Sequence, residues 1–292
     1  MRCVDQAGPD TIQRLMTYVV IQGLEVETPD LKEIAKLSGA SRIEGIGNNA
    51  FRLHDYKTWD RVAEYCTRVK LDFAFVPQPR KLSDFGLVAM DMDSTLITIE
   101  CIDEIADLQG VKPQVAAITA SAMRGEIEYH ESLRRRLALL EGMDESALHR
   151  VYDERLRLSP GAERMFGRLR SLGIKTLLVS SGFTYFTERL KQRLSLDYTL
   201  SNTLEIKNGT LTGKVVGRIV DAQVKAAKLR ELRDELQLKR DQVIAFGDGA
   251  NDLAMMAEAG VSIAYHAKPV VRGKATYCFD HVGLDGLLNL YT

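Results

Sequence analysis

The stretch Leu87-Val88-Ala89-Met90-Asp91-Met92-Asp93-Ser94-Thr95 decides the fold of this 292-residue chain. Its first four residues form a short apolar run that is typical of a buried strand, and two acidic residues follow at once. Burying a carboxylate is costly unless a cation or a metal compensates its charge. Asp91 and Asp93 therefore belong either to a functional site or to the polar edge of a loop, with Ser94 or Thr95 capping a helix. These residues alone leave both alternatives open.

Apolar runs of the same kind recur along the rest of the chain and alternate with helical patterns. The runs lie at residues 174–179, 243–246, 261–264 and 275–279. The helical patterns lie at residues 161–172, 183–194, 224–236 and 252–259. This alternation predicts an α/β fold with a doubly wound, mainly parallel sheet.

Polar residues follow two more of these predicted strands. Ser180-Ser181-Gly182 comes after the second strand, and Gly247-Asp248-Gly249-Ala250-Asn251-Asp252 comes after the third. Ligands of such sheets bind outside the carboxyl ends of the strands, so we expect both segments to meet Asp91 and Asp93. Converging carboxylates repel one another, and a hard divalent cation such as Mg²⁺ relieves that repulsion. An Asp-capped turn would explain the third segment alone, but two acidic strand ends favour a metal site.

A phosphate group suits the remaining polar residues. The Ser180 hydroxyl and the amides of Ser181, Gly182 and Phe183 would cradle a phosphate at a predicted helix start. A simple helix cap explains Ser180 equally well in isolation. Lys225 lies near the start of another helix, where the helix dipole disfavours a cation, so it could neutralise a phosphate instead. Most lysines are only solvated charges, and the residues alone leave its role open.

Two further regions surround this predicted core. Residues 100–157, between its first and second strands, contain several helical patterns and predict a helical cap over the strand ends. Residues 1–80 mix helical patterns with strand-like runs and predict a small N-terminal α+β domain, which ends near Pro77 and Pro79. Its helical patterns lie at 11–21, 29–37 and 56–69, and its strand-like runs at 50–54 and 73–76. Residues 81–292 are then the core with its cap.

The composition argues against several classes of protein. The 39 Lys and Arg residues balance 40 Asp and Glu residues, so we expect no nucleic-acid binding through a broad basic surface. No apolar run approaches the roughly 20 residues that a membrane-spanning helix needs. The four cysteines have no zinc spacing and the N-terminus does not resemble a signal peptide, so we expect a cytoplasmic protein. The sequence contains neither paired histidines nor a Walker-type nucleotide loop.

Four segments, taken in order, resemble the four motifs of the haloacid dehalogenase superfamily. They are residues 91–95, Ser180, Lys225 and residues 247–252. The resemblance extends from about residue 87 to the C-terminus and implies a haloacid dehalogenase-like fold with phosphatase activity. It implies that Asp91 is a nucleophile that forms an aspartyl-phosphate and that Asp93 is the acid and base.

The same resemblance implies a magnesium site and a phosphate site. Mg²⁺ would be bound by Asp91, Asp248 and the backbone carbonyl of Asp93. Lys225 and Ser180 would hold the phosphoryl oxygens with the help of Asn251, and Asp252 would orient Lys225 or a metal-bound water. The implied roles thus account for all the polar residues at the strand ends.

Within the superfamily, residues 91–106, 122–125 and 131–136 resemble the phosphoserine phosphatase family. This closer resemblance implies that Glu100 meets the substrate ammonium and Arg136 its carboxylate, pairings that are chemically complementary. The expected substrate is therefore the small molecule O-phospho-L-serine, hydrolysed to L-serine and phosphate in the last step of serine biosynthesis. One residue departs from the family pattern, since Ser181 stands where the family often has glycine.

Other functions stay open at this point. The chain could be a phosphatase for another small phosphomonoester with an amine or a carboxylate, or an inactive amino-acid-binding regulator. The N-terminal domain, which could resemble the amino-acid-sensing domains of some relatives, could bind an effector, form a homodimer or only support the core.

Overall fold

Two β-sheets organise the chain in a computed structural model that describes residues 16–47, 49–77 and 80–291. The first sheet has four antiparallel strands in the order β2-β3-β1-β4, with two helices on one face. Its elements in chain order are β1 (Met16–Gln22), α1 (Thr28–Ser38), β2 (Arg42–Gly47), β3 (Ala50–His54), α2 (Val62–Arg68) and β4 (Asp72–Pro77). This is the predicted N-terminal α+β unit.

Strand β1 corrects one expectation from the sequence. A helical pattern is predicted for residues 11–21, but residues 16–21 belong to a strand, while residues 11–15 lie outside the described part of the chain. Val19 and Ile21 pack under α1 and α2, whereas Tyr18 and Val20 pack against the C-terminal part of the chain. Because both faces of the strand are buried, residues 18–21 are all hydrophobic and show no polar alternation. The predicted boundary at residues 76–81 includes residues 78 and 79, which are also outside the described residues.

The second sheet has seven strands in the order β11-β10-β9-β5-β6-β7-β8. All neighbours are parallel except β7 and β8, which form an antiparallel hairpin around Asn208-Gly209. The strands are β5 (Leu87–Met90), β6 (Lys175–Phe183), β7 (Tyr198–Lys207), β8 (Thr210–Val216), β9 (Val243–Gly247), β10 (Val261–Tyr265) and β11 (Tyr277–Phe279). The chain builds outward from β5 on one side and then returns to β9 on the other, so the switch point lies between β5 and β9.

Helices cover both faces of this sheet, so the predicted doubly wound α/β fold is confirmed. The helices that follow the first sheet are α3 (Cys101–Leu108), α4 (Lys112–Met123), α5 (Tyr129–Ala138), α6 (Ser146–Arg150), α7 (Ala162–Ser171), α8 (Thr184–Leu194), α9 (Ala222–Glu235), α10 (Leu253–Ala257), α11 (Pro269–Arg272) and α12 (Leu287–Leu290). One face packs on α7 and α8 and the other on α9 and α10. No helix in the described ranges is long and apolar enough to cross a membrane.

The predicted helical cap is present between β5 and β6 and consists of α3, α4, α5 and α6. It is tied to the β7–β8 hairpin by backbone hydrogen bonds, in which Gly142 donates to Leu211 and Leu211 donates to Met143, at 2.9 and 2.8 Å. Glu145 donates to Gly209 in the same way at 2.9 Å. One side of the cap is therefore fixed to the sheet by main-chain contacts.

Candidate active site

Asp91, Ser180 and Asp248 lie at the carboxyl ends of three adjacent strands, as the sequence predicts. Asp91 follows β5, Ser180 lies in the last part of β6 and Asp248 follows β9. The chain turns sharply after Asp91, and Ser94 adopts a positive φ of 55° within that turn. The three side chains are nearly inaccessible to solvent, at 4%, 0% and 9% exposure. Three distant segments thus contribute polar groups to one buried place.

Lys225 lies at the centre of this cluster. Its ammonium is 2.7 Å from Oδ1 of Asp91 and 2.9 Å from Oδ1 of Asp252, and its side chain is fully buried. Burial alone lowers the pKa of a lysine, but the Asp252 and Asp91 carboxylates more than offset it and raise the pKa of Lys225. The lysine is therefore a permanent cation beside Asp91.

Asp91 and Asp93 occupy contrasting surroundings. Burial and the charge of Asp252 raise the pKa of Asp91, and the Lys225 ammonium acts against that increase. Asp93 has a different hydrogen-bond partner, since its Oδ1 accepts from the Cys101 amide at 2.9 Å. Burial and the nearby Glu100 carboxylate raise the pKa of Asp93 to about 7. Asp93 can consequently give or take a proton near neutral pH.

A second set of contacts fixes the acidic residues that follow β9. The Thr95 hydroxyl donates to Oδ1 of Asp248 at 3.2 Å, and burial and Asp252 raise the pKa of Asp248 to about 6. Oδ2 of Asp252 accepts from the amides of Asp248 and Gly249 at 3.2 and 3.1 Å. Both carboxylate oxygens of Asp252 therefore have partners, since its Oδ1 contacts the Lys225 ammonium.

The acidic cluster could hold a hard divalent cation. Asp91, Asp248 and Asp252 each offer a carboxylate oxygen, and these oxygens all lie within 4.8 Å of one another. Because Asp252 already serves Lys225 and two amides, Asp91 and Asp248 are the carboxylates left to bind a metal. Two carboxylates with further oxygen ligands are the set that Mg²⁺ prefers in phosphate-handling sites. The residues present fit this ion.

The turn after Val179, which the sequence predicts to be a phosphate cradle, has a compact arrangement. The Gly182 amide donates to Oγ of Ser180 at 2.8 Å, and the Ser180 hydroxyl donates to Oδ2 of Asp93 at 3.3 Å. A Cβ atom on Gly182 would lie 2.7 Å from Oδ2 of Asp93, so only glycine fits there. The following helix begins at Thr184, one residue later than predicted, with Phe183 as its N-cap.

The predicted substrate-binding residues surround this centre at different distances. Glu100 is exposed and accepts from the Ser94 hydroxyl at 2.7 Å, and its charge acts on both Asp93 and Asp248. Asn251 lies in the turn between Gly249 and Asp252, with its side chain folded over Gly249. Arg136 lies on α5 in the cap, where its Nε donates to the Ser132 carbonyl at 3.4 Å.

Comparisons with known proteins agree with this geometry. A family model for haloacid dehalogenase-like hydrolases matches residues 85–260, and a domain of unknown function, DUF4072, matches residues 19–61. The phosphoserine phosphatase of Polaromonas sp. is 55% identical over 215 residues, which are 72% of this chain and 91% of that protein. The phosphoserine phosphatase of Vibrio cholerae is 46% identical over 220 residues, which are 75% of this chain and 67% of that protein.

The chain belongs to the phosphoserine phosphatase family. The unliganded crystal structure of a probable phosphoserine phosphatase from Vibrio cholerae matches with a TM-score of 0.83 at 36% identity, over 97% of this chain and 90% of that one. A substrate-bound phosphoserine phosphatase structure matches with a TM-score of 0.67 at 34% identity, over 71% of this chain and 99% of that one. The first of these likenesses therefore extends over the N-terminal sheet as well.

Three side chains of this phosphoserine phosphatase family member were not predicted to take part in the site. Thr95, seen only as a helix cap, supports Asp248 instead. Asn202 is buried on β7, where it donates to the Ser181 carbonyl at 2.7 Å and accepts from the Val220 amide at 2.9 Å. Tyr129 opens α5, close to Ser181 and to the charges of the site. A polar residue inside the predicted strand 198–206 is a signal that could have found Asn202.

Proposed function

We propose that this protein hydrolyses O-phospho-L-serine to L-serine and phosphate, the last step of serine biosynthesis, through an aspartyl-phosphate. The observation that carries the proposal is the contrast between Asp91 and Asp93. The Lys225 ammonium, 2.7 Å from Asp91, acts against the rise in pKa that burial and Asp252 cause there, and a bound divalent cation would favour the ionised carboxylate further, while burial and Glu100 raise the pKa of Asp93 to about 7. A nucleophilic carboxylate and a protonated neighbour are what the first step of this chemistry requires.

The proposed reaction has two steps that use the same two carboxyl groups. An oxygen of Asp91 attacks phosphorus, the bond from phosphorus to the serine oxygen breaks, and Asp93 gives its proton to that oxygen. Asp93, now ionised, takes a proton from a water molecule that attacks the phosphorus of the aspartyl-phosphate, and the bond from phosphorus to the Asp91 oxygen breaks. The products are free phosphate and a regenerated Asp91, and Asp93 is again protonated.

We propose that Mg²⁺ is held by Asp91, Asp248 and the backbone carbonyl of Asp93. The carboxylate of Asp93 is engaged by the Cys101 amide and by Ser180, so its side chain serves as acid and base. When bound, the ion neutralises charge on the phosphoryl group. Lys225, Ser180 and Asn251 hold the phosphoryl oxygens, and Asp252 keeps Lys225 in position.

The substrate is set by two charges at the mouth of the site. Glu100 is an exposed carboxylate beside Asp93, where it would pair with the substrate ammonium. Arg136 projects from the cap helix and would bind the carboxylate through two parallel hydrogen bonds. The amides of Ser181 and Gly182 complete the binding of the phosphate end.

Replacement of the nucleophile tests the reaction. Asp91→Asn keeps the size of the side chain but removes the attacking charge, so we expect phosphate release from L-phosphoserine with Mg²⁺ to fall by more than about a thousandfold. The matched control is Asp234→Asn, because Asp234 is exposed on α9 and forms only a surface ion pair with Arg233. Activity of Asp91→Asn close to that of the control would refute the mechanism.

The N-terminal sheet has a separate proposed role as a regulatory or dimerising domain of residues 1–80, with the catalytic unit at 81–292 and its cap at about 100–157. Its α1 and α2 cover one face of the sheet, and the other face packs on the catalytic unit. The homodimer and the cytoplasmic location expected from the sequence stay predictions.

A further inference from the structure

The first turn of the cap helix α5 reaches two segments of the core that serve the phosphate site. His130 is 2.9 Å from Asp221, through its Nε2 and the Oδ2 atom of the carboxylate. Asp221 is the N-cap of α9, where it accepts from the amides of Gln223 and Val224 at 3.0 and 2.9 Å. Lys225 lies one turn later in the same helix. His130 of the cap therefore contacts the start of the helix that positions the buried lysine.

Tyr129, the residue before His130, faces the other segment. Its side chain is partly buried against the hydrophobic core, and burial raises the pKa of the phenol, while the hydroxyl of Ser181 and the charges of Arg136 and Lys225 lower that pKa. The phenol is therefore near both the proposed carboxylate end and the proposed phosphate end of the site. Tyr129 and Arg136 are seven positions apart on α5, which places them on the same face of the helix.

The Ser181 hydroxyl is buried and lacks a good hydrogen-bond partner, which a group of the cap could supply. Its oxygen is inaccessible to solvent and has no hydrogen bond of normal geometry among the described residues. A buried hydroxyl without a good hydrogen bond is unfavourable, and Tyr129 is the group of complementary chemistry that faces it. Because the oxygen is already covered, it suits a contact between cap and core better than a contact with an incoming ligand.

We propose that the first turn of α5 is a latch, in which Tyr129 closes on Ser181 and His130 closes on Asp221. The opposite side of the cap is fixed to the β7–β8 hairpin by backbone hydrogen bonds, so this turn is the side that opens and shuts. Closure then depends on the two segments that hold the phosphate, the turn at Ser181 and the helix of Lys225. The latch rests on the proposed function, because it positions the cap for that reaction. Tyr129 and His130 are positioning residues within it.

A double-mutant cycle tests the latch. Tyr129→Phe and Ser181→Ala each remove one hydroxyl and keep the ring or the backbone amide. We expect each to lower kcat/KM for phosphoserine about three- to tenfold, the factor expected for one hydrogen bond, and the double variant to be no worse than either single variant. Tyr65→Phe is the matched control, since Tyr65 lies in the N-terminal sheet unit and its hydroxyl donates to Asp30. Effects that multiply in the double variant would overturn the proposal.

Amide hydrogen exchange of residues 129–138 gives a second readout that needs no substrate. We expect Tyr129→Phe, Ser181→Ala and His130→Ala each to speed exchange in α5 about three- to tenfold relative to Tyr65→Phe. Unchanged exchange in all three variants would overturn the latch even if activity falls, because the residues would then contact substrate only. If the wild-type protein released no phosphate from phosphoserine while α5 exchange still rose in the variants, the proposed function would fail and the latch would stand.

Discussion

At the residue scale, two carboxyl groups that are two positions apart carry opposite tasks because their partners differ. Asp91 contacts the fully buried Lys225. Asp93 instead accepts hydrogen bonds from the Cys101 amide and the Ser180 hydroxyl, and the charge of Glu100 raises its pKa. An ammonium favours the ionised form of a carboxyl group, and burial beside another carboxylate favours the neutral form. With Lys225 and a bound cation beside Asp91 to offset its burial, the short peptide would supply both a charged nucleophile and a proton donor.

The pKa of Asp93, raised to about 7, predicts how each step depends on pH. Formation of the aspartyl-phosphate needs protonated Asp93, so its rate falls as pH rises above about 7. Hydrolysis of the intermediate needs ionised Asp93, so its rate falls as pH drops below about 7. We therefore expect acid-quenched phosphoprotein to accumulate more at about pH 5.5 than at about pH 8. Equal accumulation at both values would contradict the dual role of Asp93.

The proposed binding of the substrate carboxylate by Arg136 predicts how Arg136→Ala changes the choice of substrate. Arg136→Ala should lower kcat/KM for phosphoserine about 30- to 1,000-fold, since it removes a charged partner of the carboxylate. Phosphoethanolamine carries the amine without the carboxylate, so its hydrolysis should change little. The neighbouring Arg135 pairs with Glu131 on the exposed side of α5, and Arg135→Ala is the matched control. An equal loss for both substrates would show that Arg136 does not bind the carboxylate.

At the element scale, the turn after β9 holds the lysine and the candidate metal site in one arrangement. A Cβ atom at Gly247 would lie 2.4 Å from Cβ and 2.6 Å from Oδ2 of Asp252. Asp252 is fully buried and holds both Lys225 and the amides that follow β9. Because Gly247 has no side chain, Asp252 can take the position in which it holds Lys225 and the amides that follow β9.

Gly247→Ala should displace Asp252 and with it Lys225. We expect kcat/KM to fall at least about 100-fold, the effect of a displacement on the order of 1 Å at a reacting centre. Gly167→Ala is the matched control, because Gly167 lies inside α7 and a Cβ atom there meets no atom within 4 Å. That control should keep its activity and gain roughly 0.5–1 kcal/mol in free energy of unfolding. A Gly247→Ala protein as active as the control would mean that the turn adapts without moving Asp252.

The elements differed in how far the sequence could predict them. The strand ends at Asp91, Ser180 and Asp248 were predictable because buried parallel strands are short apolar runs with polar residues at their ends. Lys225 was ambiguous from its own surroundings, since its role depends on Asp252, which is 27 positions away. Strand β1 was wrongly assigned to a helix because burial of both its faces hides the alternation that marks most antiparallel strands. Contacts such as that of His130 with Asp221 arise only from tertiary packing.

At the scale of the whole molecule, the two sheets share a hydrophobic core. Tyr18 and Val20 of the first sheet pack in the same cluster as Leu287 and Leu290 of α12. The Tyr18 hydroxyl donates to the Leu290 carbonyl at 3.0 Å, and the side chain of Asn289 donates to Gln22 at 2.8 Å. The C-terminal helix therefore contributes both apolar packing and hydrogen bonds to the junction between the two sheets.

Asp72 makes a further polar contact at that junction. It begins β4 in the first sheet, is buried, and accepts from the amides of Asp280, His281 and Val282 at 2.9 to 3.1 Å. Burial raises the pKa of Asp72, and those three amides act against that increase. One carboxylate thus satisfies three backbone donors that follow β11 in the second sheet.

Asp72→Ala would leave those three amides, one buried and two partly buried, without their acceptor. We expect the free energy of unfolding to fall by about 2–4 kcal/mol, because each unsatisfied buried donor costs about 1–3 kcal/mol and local rearrangement recovers part of that cost. Urea unfolding should show the loss, with Asp60→Ala, an exposed aspartate of the same sheet unit, as the control. If Asp72 joins the two sheets, the first sheet should also unfold at lower urea than the second, giving two transitions where the control gives one. A single transition at the midpoint of the control would show that the contacts of α12 are sufficient to hold the sheets together.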